Sequence, residues 1–164
     1  MKIITIEKDT LLYDEFKFKC SIGKNGKTTK KIEGDNKTPK GLYAFGPLYY
    51  RKDRIKLPQT RLKCIQIKSY MGWCDDVKNS KKYNKLINTN KKINHEKLYR
   101  KDFKYDLLIP IKYNFKERIL GKGSCIFIHL TKDYKSTAGC IALKKKDFLI
   151  MVKIINKNTK IKIN

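Results

Sequence analysis

Two residues in the C-terminal third have types and spacing that can do chemistry together, His129 and Cys140. Cys140 closes the run Ser136-Thr137-Ala138-Gly139-Cys140, one loop after His129. A cysteine becomes a nucleophile when a neighbouring imidazole takes its proton or when aligned backbone amides stabilise its thiolate. The small residues before it let the backbone approach a substrate closely. The amides of Gly139 and Cys140 would then face the negative charge developing on an attacked carbonyl. On this reading His129 is the general base and Cys140 carries an acyl group. The spacing alone also allows a second reading, in which His129 is a hydrogen-bonded core histidine and Cys140 a small apolar filler.

For the two side chains to meet, the chain must turn back between them. Cys125 to Leu130 is apolar on both sides and reads as a central strand. The loop from Leu130 to Gly139 is long enough to return, and Cys140-Ile141-Ala142-Leu143 reads as the next strand. Cys125 falls on the same strand face as His129 and is expected to be a packing residue, away from loop amides. Earlier in the chain, Phe16, Phe18, Cys20 and Ile22 alternate with Lys17, Lys19 and Ser21, the period of a strand with one wet face. The start, Met1 to Asp9, reads as a first strand, with Leu42–Phe45, Cys64–Ile67, Asp106–Tyr113 and Thr159–Ile163 as further ones. Gly23–Gly26 and Glu33–Gly41 are rich in turn formers. The stretch from Gly72 to Asp102 reads as irregular, with a short helix around His95–Arg100 and His95 in solvent. Asp147 is expected to cap a helix carrying Phe148, Met151, Val152 and Ile155 inward.

The 164 residues, 19.3 kDa, fit one domain over positions 1–164, mainly β, with one or two peripheral helices. No run approaches the roughly 20 apolar residues of a membrane span. The first residues break into charge without a small-residue cleavage site, so a cytoplasmic location is expected, or a periplasmic one if a leader has been removed. Five cysteines at irregular spacing, without C-x-x-C, point away from a disulfide framework and from zinc. The net charge of +25 would suit a polyanion such as nucleic acid or a wall polymer. Its lysines are scattered and there are only five arginines, which reads as composition bias and not as a nucleic-acid surface. The field would still attract an acidic substrate.

The residues around the His–Cys pair resemble the L,D-transpeptidase catalytic-domain family, the cysteine acyltransferases of peptidoglycan. They are similar to a branch reading G-x-G-S-x-I-F-x-H and then T-A-G-C-x-A-L. Gly121 to His129 matches the first part and Thr137 to Leu143 the second. Glu33-Gly34-Asp35 with Lys37-Thr38-Pro39 and Gly41, Tyr50–Arg54, Gly72–Asp76, Tyr83-Asn84, and Leu98–Asp102 with Tyr105-Asp106 extend the resemblance upstream. It implies a mixed-sheet β-sandwich or open barrel, with Cys140 as nucleophile, His129 as base and Gly139 as a backbone oxyanion contact. Arg51, Arg54, Arg100, Trp73 and Thr137 are the implied substrate-side residues, though each arginine reads more readily as a structural ion pair and Trp73 as pocket wall or core. Asp75 and Asp76 could share a proton, but strand neighbours point to opposite faces, so they read as loop anchors. The broad family pattern has a His and an Arg where this chain has Ala138 and Ala142. Losing that Arg removes a bidentate carboxylate partner, and the shorter His-to-Cys interval implies a trimmed lid.

The implied partners are peptidoglycan stem peptides or muropeptides. No metal or organic cofactor is implied, and no protein partner is named. The expected activity is L,D-carboxypeptidase trimming of tetrapeptide stems through a thioester, with 3→3 cross-linking or exchange of D-amino acids as the alternative. Two readings of other classes remain: a non-catalytic basic module for nucleic acid or wall polymer, and a redox-sensing Cys140.

Overall fold

The computed structural model describes residues 2–89 and 92–164. Its strands, in chain order, are β1 (Ile3–Glu7), β2 (Thr10–Tyr13), β3 (Phe16–Ser21), β4 (Lys27–Thr28), β5 (Thr38–Pro39), β6 (Gly41–Ala44), β7 (Leu48–Tyr50) and β8 (Cys64–Gln66). They continue with β9 (Met71–Cys74), β10 (Leu86–Asn88), β11 (His95–Lys97), β12 (Leu107–Pro110), β13 (Phe127–Thr131), β14 (Ile141–Lys144) and β15 (Lys160–Ile163). Helix α1 (Lys145–Ile154) lies between the last two strands. Ten strands form one curled sheet in the order β6-β15-β1-β2-β3-β14-β13-β12-β7-β8, with β9, β10 and β11 in a smaller one. The large sheet is mixed, because β1–β15, β13–β14 and β7–β8 run parallel and its other pairs antiparallel. No helix is long and apolar enough to cross a membrane among the described residues.

The expected mainly-β fold with a mixed, curled sheet is what forms, and the alternation of β3 and the position of β13 inside the sheet agree with it. Strand alternation explains how β13 serves two cores. Ile128 and Leu130 point with Ile141 and Leu143 toward the main core, which α1 closes with Phe148, Met151 and Val152. Phe127 faces the opposite way, into a second cluster with Cys140, Leu108, Tyr49, Trp73 and Tyr105. His129 has the parity of Phe127, so the sheet itself separates the candidate chemistry from the structural core.

Several local expectations are corrected. The helix read around His95–Arg100 is strand β11, whose residues pair with Gly72–Cys74 of β9, so tertiary pairing overrides local helix spacing. The stretch from Gly72 to Asp102 therefore carries a three-stranded sheet; within it, residues 90 and 91 lie outside the described residues, as does Met1 of the first-strand reading. His95 is half-buried, its Nδ1 2.6 Å from the Ile93 carbonyl and its Nε2 buried without a partner. Asp147 does not cap α1. The helix begins two residues earlier behind Lys144 with no side-chain cap, and Asp147 sits in the first turn, where its charge suits the positive end of the helix. The strand read from Cys125 begins at Phe127, because Cys125 adopts φ 53° and cannot continue an extended ladder.

Candidate active site

Parallel pairing of β13 with β14 sets the site. The register places Ile128 beside Ile141 and His129 beside Ala142. One step back, Cys140 stands opposite Phe127, whose N–H approaches Sγ at 3.4 Å. Cys140 and His129 are thus on neighbouring strands, on the same face, one pleat apart. Parallel neighbours need a crossover, and here it is the short loop of residues 132–140, without a helix. That loop is pinned to β3's exit. Thr137 N–H donates to the Ile22 carbonyl (2.9 Å), Lys24 N–H donates to the Thr137 carbonyl (2.8 Å), and Thr38 Oγ1 donates to the Gly139 carbonyl (2.9 Å).

The pair lines a cavity of about 580 Å³, together with Thr137, Tyr105, Cys125 and Arg100 among others. Cys140 is 9% exposed and His129 7%. His129 Nδ1 lies 3.0 Å from the Leu130 carbonyl. A carbonyl only accepts, so Nδ1 carries the proton and Nε2 has the free lone pair. Tyr105 packs edge-on against the imidazole at 5.4 Å, and its hydroxyl donates to Glu96 Oε1 (2.9 Å). The thiol of Cys140 donates to the Cys125 carbonyl at 3.1 Å. Burial pushes the thiol up to about 12, opposed by the Phe127 amide and reinforced by Glu96. Burial likewise pulls the His129 imidazole down to about 4, opposed by the Leu130 carbonyl and helped by Lys104 and Arg100. Both groups are therefore neutral at rest. The arrangement is that of a neutral thiol and a neutral imidazole lining one cavity, and not of a standing thiolate–imidazolium pair.

The other sequence-derived residues divide sharply. Thr137 lines the cavity and braces the turn at Cys140, its hydroxyl donating to the Cys140 carbonyl (2.6 Å) and accepting from the Gly139 N–H (3.1 Å). The Gly139 amide, expected to face an oxyanion, is thus held by Thr137 in this structure. Gly139 itself sits at φ 133°, and a Cβ there would stand 2.8 Å from the Lys37 carbonyl. Arg100 lines the cavity but is engaged by Asp102 (2.6 Å) and Glu96 (3.2 Å).

Arg51 and Arg54 are not brought to the cavity. The buried Arg51 guanidinium grips both oxygens of Asp53 (2.8 and 2.7 Å), donates to the Arg100 carbonyl (2.7 Å) and lies 3.5 Å over the Tyr99 ring. Arg54 pairs with Asp106 (3.0 Å) and ties down the carbonyls of Lys101 and Asp102. These bonds consume the charges that the resemblance assigned to substrate. Trp73 is a core residue behind the site, packed on Tyr49, Phe115 and Phe127, with Nε1–H donating to Asn84 Oδ1 (3.0 Å). Asp76 anchors its loop through the Lys78 N–H (2.9 Å), whereas Asp75 lines the cavity.

Sequence reading did not single out Tyr105, Glu96 or the Cys125 carbonyl. Tyr105 lies within a quoted motif, but its face against His129 depends on pairing of β12 with β13, which no local pattern encodes. Cys125 was read as strand packing. Its left-handed backbone instead puts its carbonyl on the thiol and its own side chain at the cavity wall.

Residues 2–163 match the L,D-transpeptidase catalytic domain (YkuD), and the chain belongs to that family. No curated protein matches the chain. Among solved structures, the helical cell shape determining protein Pgp2 from Campylobacter jejuni superposes with a TM-score of 0.51 at 20% identity, over 99% of this chain and 46% of that one. Bd1075 from Bdellovibrio bacteriovorus superposes with a TM-score of 0.50 at 15% identity, over 99% and 47%. The chain spans about half the length of these proteins, and at such identities the likeness establishes the fold.

Proposed function

We propose that the chain is a cysteine acyltransferase of peptidoglycan stem peptides, working chiefly as an L,D-carboxypeptidase. The observation that carries the reading is the placement of a buried thiol and a tautomer-fixed imidazole on one face of β13–β14, inside one cavity. In the first half-reaction Sγ–H turns from the Cys125 carbonyl to His129 Nε2, which takes the proton while sulfur bonds the carbonyl carbon at the L-centre of the diamino acid. The tetrahedral intermediate collapses as the C–N bond to the terminal D-residue breaks. Its amine leaves with the proton from Nε2, and a thioester remains. In the second half, Nε2 takes a proton from water, whose oxygen bonds the thioester carbon. The C–S bond breaks and the proton returns to sulfur, releasing a tripeptide acid.

Water is taken as the acceptor because the thiol and imidazole share one cavity of about 580 Å³, which suits a single stem. Purified protein incubated with a tetrapeptide stem, with and without a diamino-acid amine acceptor, decides by mass. Release of the terminal D-residue to leave tripeptide is the expected result, abolished in Cys140→Ala. A dimer or an exchanged terminal residue would assign transfer in place of hydrolysis. Turnover that survives in Cys140→Ala would overturn the nucleophile.

A further inference from the structure

Most of the charges lining the cavity are already spent. Lys31 pairs with Asp35, Arg100 with Glu96 and Asp102, and Lys135 with Asp133. Four are left without an ion-pair partner among the described residues: the carboxylates of Glu33 and Asp75, and the ammonium groups of Lys104 and Lys132. The carboxylates lie together on the Cys125 side. Glu33 Oε2 accepts from Ser124 Oγ (2.8 Å) and Tyr83 Oη (2.5 Å), neutral donors that hold the group without cancelling its charge. One oxygen of Asp75 is buried without a hydrogen-bond partner, and both residues also line a shared side cleft. The lysines lie together on the His129 side. The Lys104 carbonyl accepts the Leu130 N–H (2.9 Å), and Lys132 Nζ stands 4.4 Å over the ring of Phe103, next to Lys104. In a chain of net charge +25, two carboxylates without an ion-pair partner in this cavity are not explained by composition.

Unpaired charges lining one cavity favour a ligand of opposite sign, and here Glu33 is bonded beside Cys125 while the two exposed lysines flank the strand of His129. We propose that Glu33 and Asp75 hold the free side-chain ammonium of the donor's diamino acid, while Lys104 and Lys132 hold the carboxylate of the leaving residue in place of the Arg that this chain lacks at Ala142. The assignment rests on the acyl-transfer reading for what is donor and what leaves. It makes the substrate a peptide cationic on the acyl side of the scissile bond and anionic on the leaving side.

The test is equilibrium binding to the full chain carrying Cys140→Ser, which cannot turn peptide over. Three tetrapeptides are compared: the parent, one with the diamino-acid amine acetylated and one with the C-terminal carboxylate amidated. Each modification should weaken binding about tenfold, as for loss of a charged hydrogen bond. Adding Lys104→Ala with Lys132→Ala should abolish discrimination against the amide and leave discrimination against the acetylated peptide. Adding Glu33→Gln with Asp75→Asn should do the reverse, a crossed pattern that a merely structural role would not produce. Equal binding of all three peptides, discrimination untouched by either pair of changes, or no binding of any peptide would overturn the assignment. Turnover of the parent by the unsubstituted protein is read separately. Selective binding without turnover would fail the acyl-transfer reading alone, and turnover without selectivity would fail this one alone.

Discussion

Replacing His129 with Gln should flatten part of the protein's acid sensitivity. The imidazole is neutral in the fold with a pKa of about 4, against an ordinary value of 6.5, burial being the main cause. Because the folded value lies below the unfolded one, the unfolded chain binds the extra proton between those two pH values. Stability from this residue is therefore fully present above pH 6.5 and is lost as pH falls toward 4. At about 1.4 kcal/mol for each pH unit the interval amounts to about 3 kcal/mol, a sizeable share of a typical domain's stability of about 5–15 kcal/mol. Urea unfolding followed by fluorescence of Trp73, the single buried tryptophan, at several pH values from 7 to 4 supplies the measurement. Carboxylates elsewhere titrate alike in both proteins and cancel in the comparison. The wild type should lose about 3 kcal/mol more than His129→Gln over that range. Parallel stability curves would refute the buried neutral imidazole. The same protonation sets the catalytic expectation, an acid limb of kcat/KM near pH 4 instead of near the ordinary imidazole value.

Arg51→Met should destabilise the fold by about 1–3 kcal/mol by leaving the Arg100 carbonyl without its donor, while KM for a stem peptide stays unchanged, since the guanidinium does not line the cavity; a raised KM at full stability would argue for substrate contact. Gly139→Ala must push a methyl against the Lys37 carbonyl in a backbone region that disfavours side chains. It should cost about 1–3 kcal/mol in chemical unfolding and slow turnover more than the loss of folded protein explains.

What was legible in the sequence follows the range of the forces involved. The alternation of Phe18 and Cys20 with Lys17 and Lys19 is written by burial on one face, so β3 could be read directly. The apolar stretch around Ile128 could be placed inside the sheet for the same reason. The His–loop–Cys signal was visible because β13 and β14 are neighbours both in sequence and in space. Long-range arrangement was not visible. His95 looked solvated because nothing near it in sequence announces β9, and the ion pairs expected for Arg51 and Arg54 could not be given all their partners because Tyr99, Asp102 and Asp106 arrive from a distant part of the chain. Motif matching recovered Tyr83-Asn84 without explaining it. The structure supplies the reason: Asn84, buried at φ 52°, joins Trp73, Cys125 and the carbonyls of Tyr113 and Asn114, and so sets the floor beneath the thiol.

The neutrality of the pair connects burial to control of reactivity. A thiol held up at about 12 beside an imidazole held down at about 4 stores no nucleophile between turnovers. Such a sulfur is a poor target for stray oxidants and alkylators, whose reaction needs the thiolate. This weighs against a redox-sensing role, which calls for an exposed thiol of low pKa. On the acyl-transfer reading, the cost of making the thiolate is met only while a carbonyl is bound, when charge moves on from sulfur to the substrate oxygen as the new bond forms. In this structure Thr137 occupies the Gly139 amide, which can reach that oxygen only by release of the Thr137 contact. Thr137→Ser, which keeps the hydroxyl, and Thr137→Val, which removes it, separate a bracing role from a competing one. If the hydroxyl braces the turn, Val slows turnover and Ser preserves it. If it withholds an oxyanion donor, Val raises kcat even as the fold loses stability.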